Sequence, residues 1–420
     1  MGKVVRRTLV AGAALFVFSL AVDAGAQQTV KIGVLYPLSG NAASAGNASK
    51  MAIELGADLV NKGDPELAKL MPVAKGGGLS GLNGAKIELV VADNQGTPAA
   101  GQNQTLRLIT QEKVVAMVGA YQSGITQTAS AVAEKYGIPF VNPESTAADL
   151  TERGFKWFFR TTPVATNFAK AYSDFLKEQK AAGRKADTIA IVYENTEYGK
   201  STSTAIADLF AKEGRNVTMK VPYSANSTDV QPQVLQLKEK NPDVVVFISY
   251  TSDAILYTKT LKALNWKPEI MMADSSGFND QAYVKSMGRE VEGLISRSAF
   301  ATGKPGSISA ICEELFKKKN DGVGFDDVSA RSFQGFLVLV DALNRAGSTD
   351  PAKLQAALKA TNMPADQMAV GYNGVKFDDK GQNTLGSSLL IQMRDGQYVP
   401  VWPKAKATAD IVLPFKGWTK

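Results

Sequence analysis

A chain of 420 residues with 45% apolar content can bury a sizeable core and is long enough to divide into more than one domain. Its formal charge of +7, with no dense run of Lys or Arg, excludes a nucleic-acid or membrane-surface patch. Histidine is absent and cysteine occurs once, which removes imidazole bases and metal ligands, the triads that depend on imidazole, and any intramolecular disulfide.

In chain order, the first signal is Lys3, Arg6 and Arg7 ahead of an apolar run from Leu9 to Val22, closed by Ala24-Gly25-Ala26. This is the pattern of a secretory leader over residues 1–26, cleaved after Ala26 to leave Gln27 first. The run is short of the roughly 20 residues that cross a bilayer. No later stretch is long and apolar enough to span, and no lipid-accepting cysteine follows the cleavage point. The mature chain is therefore expected to be soluble, monomeric and periplasmic.

From Val30 onward, short apolar runs bounded by Gly, Pro, Asn or Asp alternate with longer amphipathic stretches. That βα rhythm predicts parallel sheets covered by helices. Strands are expected over 31–36, 87–92, 114–118, 139–142, 188–193, 218–222, 244–249, 269–273 and 294–300. A run such as Val244-Val245-Val246-Phe247-Ile248 suits a strand buried on both faces. So many units exceed one comfortable sheet, so the fold class is α/β with two lobes.

Residues 64–84 break the rhythm and read as a long Gly-rich surface loop. Gly76, Gly78 and Gly81 fit GxGxxG there, but the motif follows Pro72 and leads into a strand, the wrong context for a dinucleotide site. No cofactor or metal is expected. Cys312, between Ile311 and Leu315, reads as a small buried hydrophobe rather than a reactive thiol. Lys317-Lys318-Lys319 closes a helix-like segment, where cations suit the dipole. Near the C-terminus, residues 389–403 predict an edge hairpin turning at Asp395-Gly396.

Several pieces, in order, resemble the leucine/isoleucine/valine-binding family of type I periplasmic binding proteins, the receptors of amino-acid ABC importers. They are VKIGVLYPLSG (30–40), VGAYQSGITQTAS (118–130), GIPFVNPESTAADLTERGFKWFFRTTP (137–163), IAIVYENTEYGKS (189–201), NPDVVVFISY (241–250) and EIMMADSSGFND (269–280). The resemblance implies two Rossmann-like lobes joined by a three-crossover hinge, with residues 27–161 plus 299–370 in one lobe and 162–298 plus 371–420 in the other. It also implies crossovers near 161–163, 292–300 and 369–377. Its partners would be a small ligand, an amino acid or related carboxylate, and the permease subunits in the inner membrane.

The residues allow readings of their own at each site position. Ser123, preceded by Tyr121 and Gln122, stands where a buried strand gives way to a helix. There it either caps the helix or, with the free first-turn amides, receives a carboxylate. Thr146 repeats the logic after the next strand, and the resemblance gives both residues the ligand's carboxylate. Glu144 departs from the family, whose small residue there offers a backbone carbonyl to the ligand ammonium. Its side chain either clamps a cation or turns into solvent. Tyr198, Tyr250 and Asp274 follow strands of the other lobe, at the ends where α/β folds collect ligands. By resemblance Tyr250 lines the cleft, Tyr198 packs on the ligand and Asp274 replaces the family's ammonium-pairing glutamate; the plainer reading of Asp274 is a helix N-cap. Ala45 stands where many relatives have an aromatic, with Tyr36 and Tyr121 available to refill the space, and the 64–84 loop falls either on the rim or on the transporter face. A periplasmic α/β hydrolase is the rival reading, and no GxSxG elbow, P-loop or metal-spaced cluster supports it.

Overall fold

The computed structural model describes residues 1–2 and 29–418. Apart from its first two residues, the leader read over 1–26 lies outside the described residues. The first sheet is fully parallel: β1 (Thr29–Tyr36), β2 (Lys86–Asp93), β3 (Ala116–Gly119), β4 (Phe140–Asn142) and β5 (Phe158–Arg160), in the order β2-β1-β3-β4-β5. Its crossovers are α1 (Ala43–Asn61), α2 (Pro98–Thr110) and α3 (Ser123–Tyr136).

After β5 the chain enters a second α/β unit. It comprises α4 (Ala165–Ala181), β6 (Thr188–Glu194), α5 (Glu197–Lys212), β7 (Asn216–Tyr223), α6 (Gln231–Lys240), β8 (Val244–Ile248), α7 (Thr251–Ala263), β9 (Ile270–Ala273), α8 (Gln281–Met287) and β10 (Ile295–Ser298). Every residue of β8 is buried, as its unbroken apolar run requires, and each such side chain contributes about 1.5–3 kcal/mol. The chain then returns through α9 (Ile308–Lys319), α10 (Asp327–Ala346) and α11 (Pro351–Lys359), with α10 packed along α1. A small hairpin follows, β11 (Asn362–Pro364) and β12 (Gly374–Lys376). Residues 377–388 run beside the first crossing, where Arg160 bridges Gln382. Finally β13 (Leu389–Arg394) and β14 (Gln397–Trp402) add an antiparallel hairpin to the second sheet, giving β14-β13-β10-β9-β8-β6-β7. The chain thus passes between the sheets three times.

The 64–84 segment is not on the rim between the sheets. It forms short 3-10 turns that bury Leu67 and Leu79. At Gly81 a Cβ would lie 2.0 Å from the Asn344 carbonyl oxygen, so backbone packs on backbone at the far end of α10. Asn344 is seventeen residues beyond the α10 N-terminus, about 25 Å along the helix axis. Cys312 is fully buried, and burial pushes its thiol pKa up. Among the described residues no helix is long and apolar enough to cross a membrane.

Candidate ligand-binding site

Three strands of the first sheet end together. Beyond β3, Tyr121 adopts a left-handed φ of 73° and Gln122 holds the N-cap position of α3 without a side-chain cap bond; the helix starts at Ser123, where the first amides have no acceptor in a preceding turn. Beyond β4, Asn142 folds the next loop on itself: its Oδ1 accepts from the amides of Glu144 (3.2 Å) and Ser145 (3.0 Å), and its Nδ2 donates to the Ser145 carbonyl (3.1 Å). The Ser145 hydroxyl donates to the Tyr121 carbonyl at 2.8 Å and so ties the two loops together. Thr146 is buried here, and its hydroxyl meets no hydrogen-bond partner.

Strands of the second sheet point their ends at the same place. Tyr198 lies in the first turn of α5, Tyr250 at the N-cap of α7, and Asp274 directly after β9. A Cβ at Gly277 would sit 2.3 Å from the Tyr250 carbonyl carbon, so glycine allows the loop after β9 to press on the Tyr250 backbone. The Tyr121 and Tyr250 rings are 5.5 Å apart and those of Tyr250 and Tyr198 5.3 Å, an aromatic row crossing from one sheet's loops to the other's. Burial raises the Tyr250 hydroxyl pKa well above its ordinary value, with the Ser123 backbone pulling the other way. At the edge of this contact Asp280 accepts the Ser44 hydroxyl at 2.7 Å, and the Ala148 amide donates to Ser201 Oγ at 2.9 Å. The two sets of loops are closed on each other.

Beneath the aromatic row runs a chain of alternating buried charges. Asp274 Oδ1 accepts from the Tyr172 hydroxyl (2.6 Å) and Arg297 Nε (2.7 Å), and Oδ2 from the Tyr198 hydroxyl (2.9 Å) and Arg297 Nη2 (3.1 Å). Arg297 stacks on Phe168, 3.6 Å from the ring centroid, and faces Asp327 at 3.7 Å. Asp327 pairs with Arg331 at 2.9 Å, and Arg331 donates to the Glu144 carbonyl at 3.0 Å and to the Thr162 hydroxyl at 3.1 Å. Burial alone would raise the Asp327 pKa, but Arg331 and Arg297 outweigh it and hold the carboxyl below its ordinary range. The Glu144 carboxyl points inward as well. Its Oε1 accepts from the Tyr36 hydroxyl at 2.9 Å and from the Ser332 hydroxyl. Burial pushes its pKa up to about 7, against the opposing pull of Ser332 and Arg331.

Two α/β units meeting at the carboxyl ends of their strands, with three chain crossings, is the frame of a two-lobed receptor. Residues 29–397 match the family model described as "Periplasmic binding protein". The chain belongs to the periplasmic binding protein family. Leu/Ile/Val-binding protein homolog 7 of Brucella suis is 31% identical over 409 residues, covering 94% of this chain and 96% of that protein. Among solved structures, the branched-chain amino acid transporter substrate binding protein LivJ of Streptococcus pneumoniae, in complex with isoleucine, superposes with a TM-score of 0.74. It is 21% identical and covers 92% of this chain and 100% of its own. An ABC transporter solute binding protein from R. palustris, in complex with benzoate, gives 0.75 at 20% identity, covering 92% and 99%.

Within this periplasmic binding protein, Tyr121, Ser123, Glu144, Thr146, Tyr198, Tyr250 and Asp274 stand around one junction. Gln122, at the N-cap position of α3, turns its amide toward the β2–α2 loop, where a Cβ on Gly96 would lie 3.7 Å from its oxygen. Two expectations change. Asp274 is neither a helix cap nor an open partner for an ammonium group: Asp280 caps α8, and the Asp274 carboxylate already accepts from Tyr172 and, through two N–H groups, from Arg297, with the Tyr198 hydroxyl sharing its proton between Oδ2 and the Asp274 carbonyl. The Glu144 side chain does not reach solvent, since Tyr36 and Ser332 draw it between β1 and α10, and its backbone carbonyl is engaged by Arg331. Tyr36 is therefore committed to Glu144, while Tyr121 packs on Tyr250. Sequence reasoning missed Tyr172, Arg297, Asp327 and Arg331. The available signal was an arginine inside Ile295-Ser296-Arg297-Ser298, a strand buried throughout, and another in the buried first turns of α10.

Proposed function

We propose that this chain is the periplasmic receptor of an ABC importer, capturing an amino acid or related small carboxylate between two closing lobes, one built on each sheet. The observation that carries the reading is the meeting of strand ends from both sheets on one buried polar junction. There an unpartnered Thr146 hydroxyl and the N-terminus of α3 stand beside the Tyr121–Tyr250–Tyr198 row. Ser123 and Thr146 hold the carboxylate, with the Tyr250 ring beside them in the aromatic row. Because the contacts are divided between lobes, the ligand favours the closed arrangement by differential contact. The isoleucine and benzoate complexes of the two solved neighbours support both an amino acid and a plain carboxylate as candidates.

On this reading the leader over residues 1–26 directs export, and the mature monomer presents its closed form to the inner-membrane permease. No catalysis takes place, and the buried carboxylates serve structure and recognition. Native mass spectrometry and N-terminal sequencing of protein from the periplasmic fraction test it. A monomer beginning at Gln27 that carries one small molecule is expected; a membrane-bound form retaining residues 1–26 contradicts it.

A further inference from the structure

We propose that Asp280 of the second lobe is the latch of the closed form: it supplies, across the cleft, the anion that the start of α1 in the first lobe lacks, and so positions the two lobes for capture. The inference rests on the receptor reading above and gives the closure step to a residue outside the proposed ligand contacts. A helix start leaves its first N–H groups without intrahelical acceptors, and an anion or short polar side chain there is favourable. The chain meets that need locally at α2, α8, α9, α10 and α11, where the N-cap side chains of Thr97, Asp280, Ser307, Asp326 and Asp350 each accept from a first-turn amide. Helix α1 is different. Ala42 holds its N-cap position, no side chain caps it, and its first turn carries no acidic residue.

The missing anion comes from 236 residues away: Ser44, in the first turn of α1, donates its hydroxyl to Asp280 Oδ1 at 2.7 Å. Burial raises the Asp280 pKa, and Ser44 and the Ala45 backbone of the opposite lobe are among the groups that pull it back toward the charged form. On the same seam the Ser252 hydroxyl, in the first turn of α7, reaches the Asn41 carbonyl at 3.4 Å. The Asp280 carboxyl is held by its own lobe: Oδ1 also accepts the Ala282 amide at 2.7 Å, and Oδ2 the Thr251 hydroxyl at 2.9 Å. Asp280 is fully buried, whereas Ser44 is exposed at the edge of the contact. The acceptor is therefore preorganised, and parting the lobes breaks its bond to α1 while leaving the others in place. Thr251 follows Tyr250 directly, so the latch grips the start of the helix whose N-cap carries the middle ring of the aromatic row.

Two substitutions at one exposed position test it. Ser44→Ala removes the cross-lobe donor, and Ser44→Asp sets a second carboxylate against Asp280. An acid in the first turn of α1 favours that helix by itself, so a merely structural role predicts unchanged or higher melting for Ser44→Asp and no opening, whereas the latch predicts opening. Spin labels on Ala99→Cys and Thr228→Cys, exposed positions that follow β2 and β7, report the lobe separation by pulsed electron paramagnetic resonance; the native Cys312 is buried. Without added ligand, the distances are expected to include a closed population. Its ratio to the open one should fall about three- to tenfold in Ser44→Ala and further in Ser44→Asp. Adding Asp280→Asn to Ser44→Asp restores a donor and an acceptor across the cleft and still caps α8, so the closed population should recover. Whichever of L-leucine, L-isoleucine or benzoate binds should leave Ser44→Ala faster than wild type by the same factor. A wild-type distribution that is wholly open without ligand, or one that Ser44→Asp leaves unchanged, overturns the latch and leaves the receptor reading intact. Because these distances are read without ligand, failure of all three probes to bind counts against the receptor reading alone.

Discussion

Replacing Asp274 by Asn keeps the shape of the side chain and removes its charge. Asp274 and Arg297 are 0% and 1% exposed, so solvent screening does not soften the change. The substitution leaves the Arg297 guanidinium facing only Asp327, at 3.7 Å, and turns an amide N–H toward a position that now accepts from Tyr198 or Arg297. Breaking a buried pair from one side costs about 3–5 kcal/mol, a large part of the roughly 5–15 kcal/mol that holds a protein folded. At about 2–4 °C per kcal/mol for a unit of this size, melting should fall by roughly 6–20 °C. Scanning calorimetry with a parallel urea titration measures it. A melting temperature within about 2 °C of wild type would refute the buried pair. A double-mutant cycle with Arg297→Met is expected to show coupling, because removing both charges costs less than the two single losses together.

Ser123→Ala and Thr146→Ala are each expected to weaken a carboxylate probe roughly ten- to a hundredfold, as hydrogen bonds to a charged group contribute about 1.5–3 kcal/mol; wild-type affinity in the double variant, measured by calorimetry, would displace the carboxylate from this loop. Tyr250→Ala removes the middle ring of the Tyr121–Tyr250–Tyr198 row and is expected to weaken the same probe about tenfold or more, whereas unchanged affinity by calorimetry would place the ligand away from this row. For Glu144 the folded pKa lies above the ordinary carboxylate value, so its stabilising contribution is complete in acid and is lost as pH rises from about 4.5 to about 7. Relative to Glu144→Gln, the wild type without ligand should lose on the order of 2–3 kcal/mol of unfolding free energy between pH 4.5 and 8; urea titrations showing no such trend would contradict the burial of this carboxyl.

The sheets were legible in the sequence because their strands are apolar runs that tertiary contact does not need to explain. Residues 244–248 and 189–192 are buried in strands wherever their pattern says so. Strand β5 was not legible. It is three residues long and ends in Arg160, a fully buried cation whose guanidinium donates to the Ala147 carbonyl, the Thr151 hydroxyl and Gln382, the last 222 residues away. The site divides in the same manner. Ser123, Tyr198 and Tyr250 sit at helix starts and Thr146 in the loop that follows β4, positions that local pattern gives. What Asp274 and Glu144 do depends on Arg297, Ser332 and Arg331, which approach from 23 to 188 residues away. Local pattern carries no trace of such pairings.

The central claim is capture of a small molecule by closure of two lobes, and small-angle scattering tests it most directly. Profiles are compared for the protein alone and at saturation with whichever of L-leucine, L-isoleucine or benzoate binds by calorimetry. A smaller radius of gyration and a sharper pair-distance distribution with the probe are the expected result. An unchanged profile at saturation would contradict closure around the ligand.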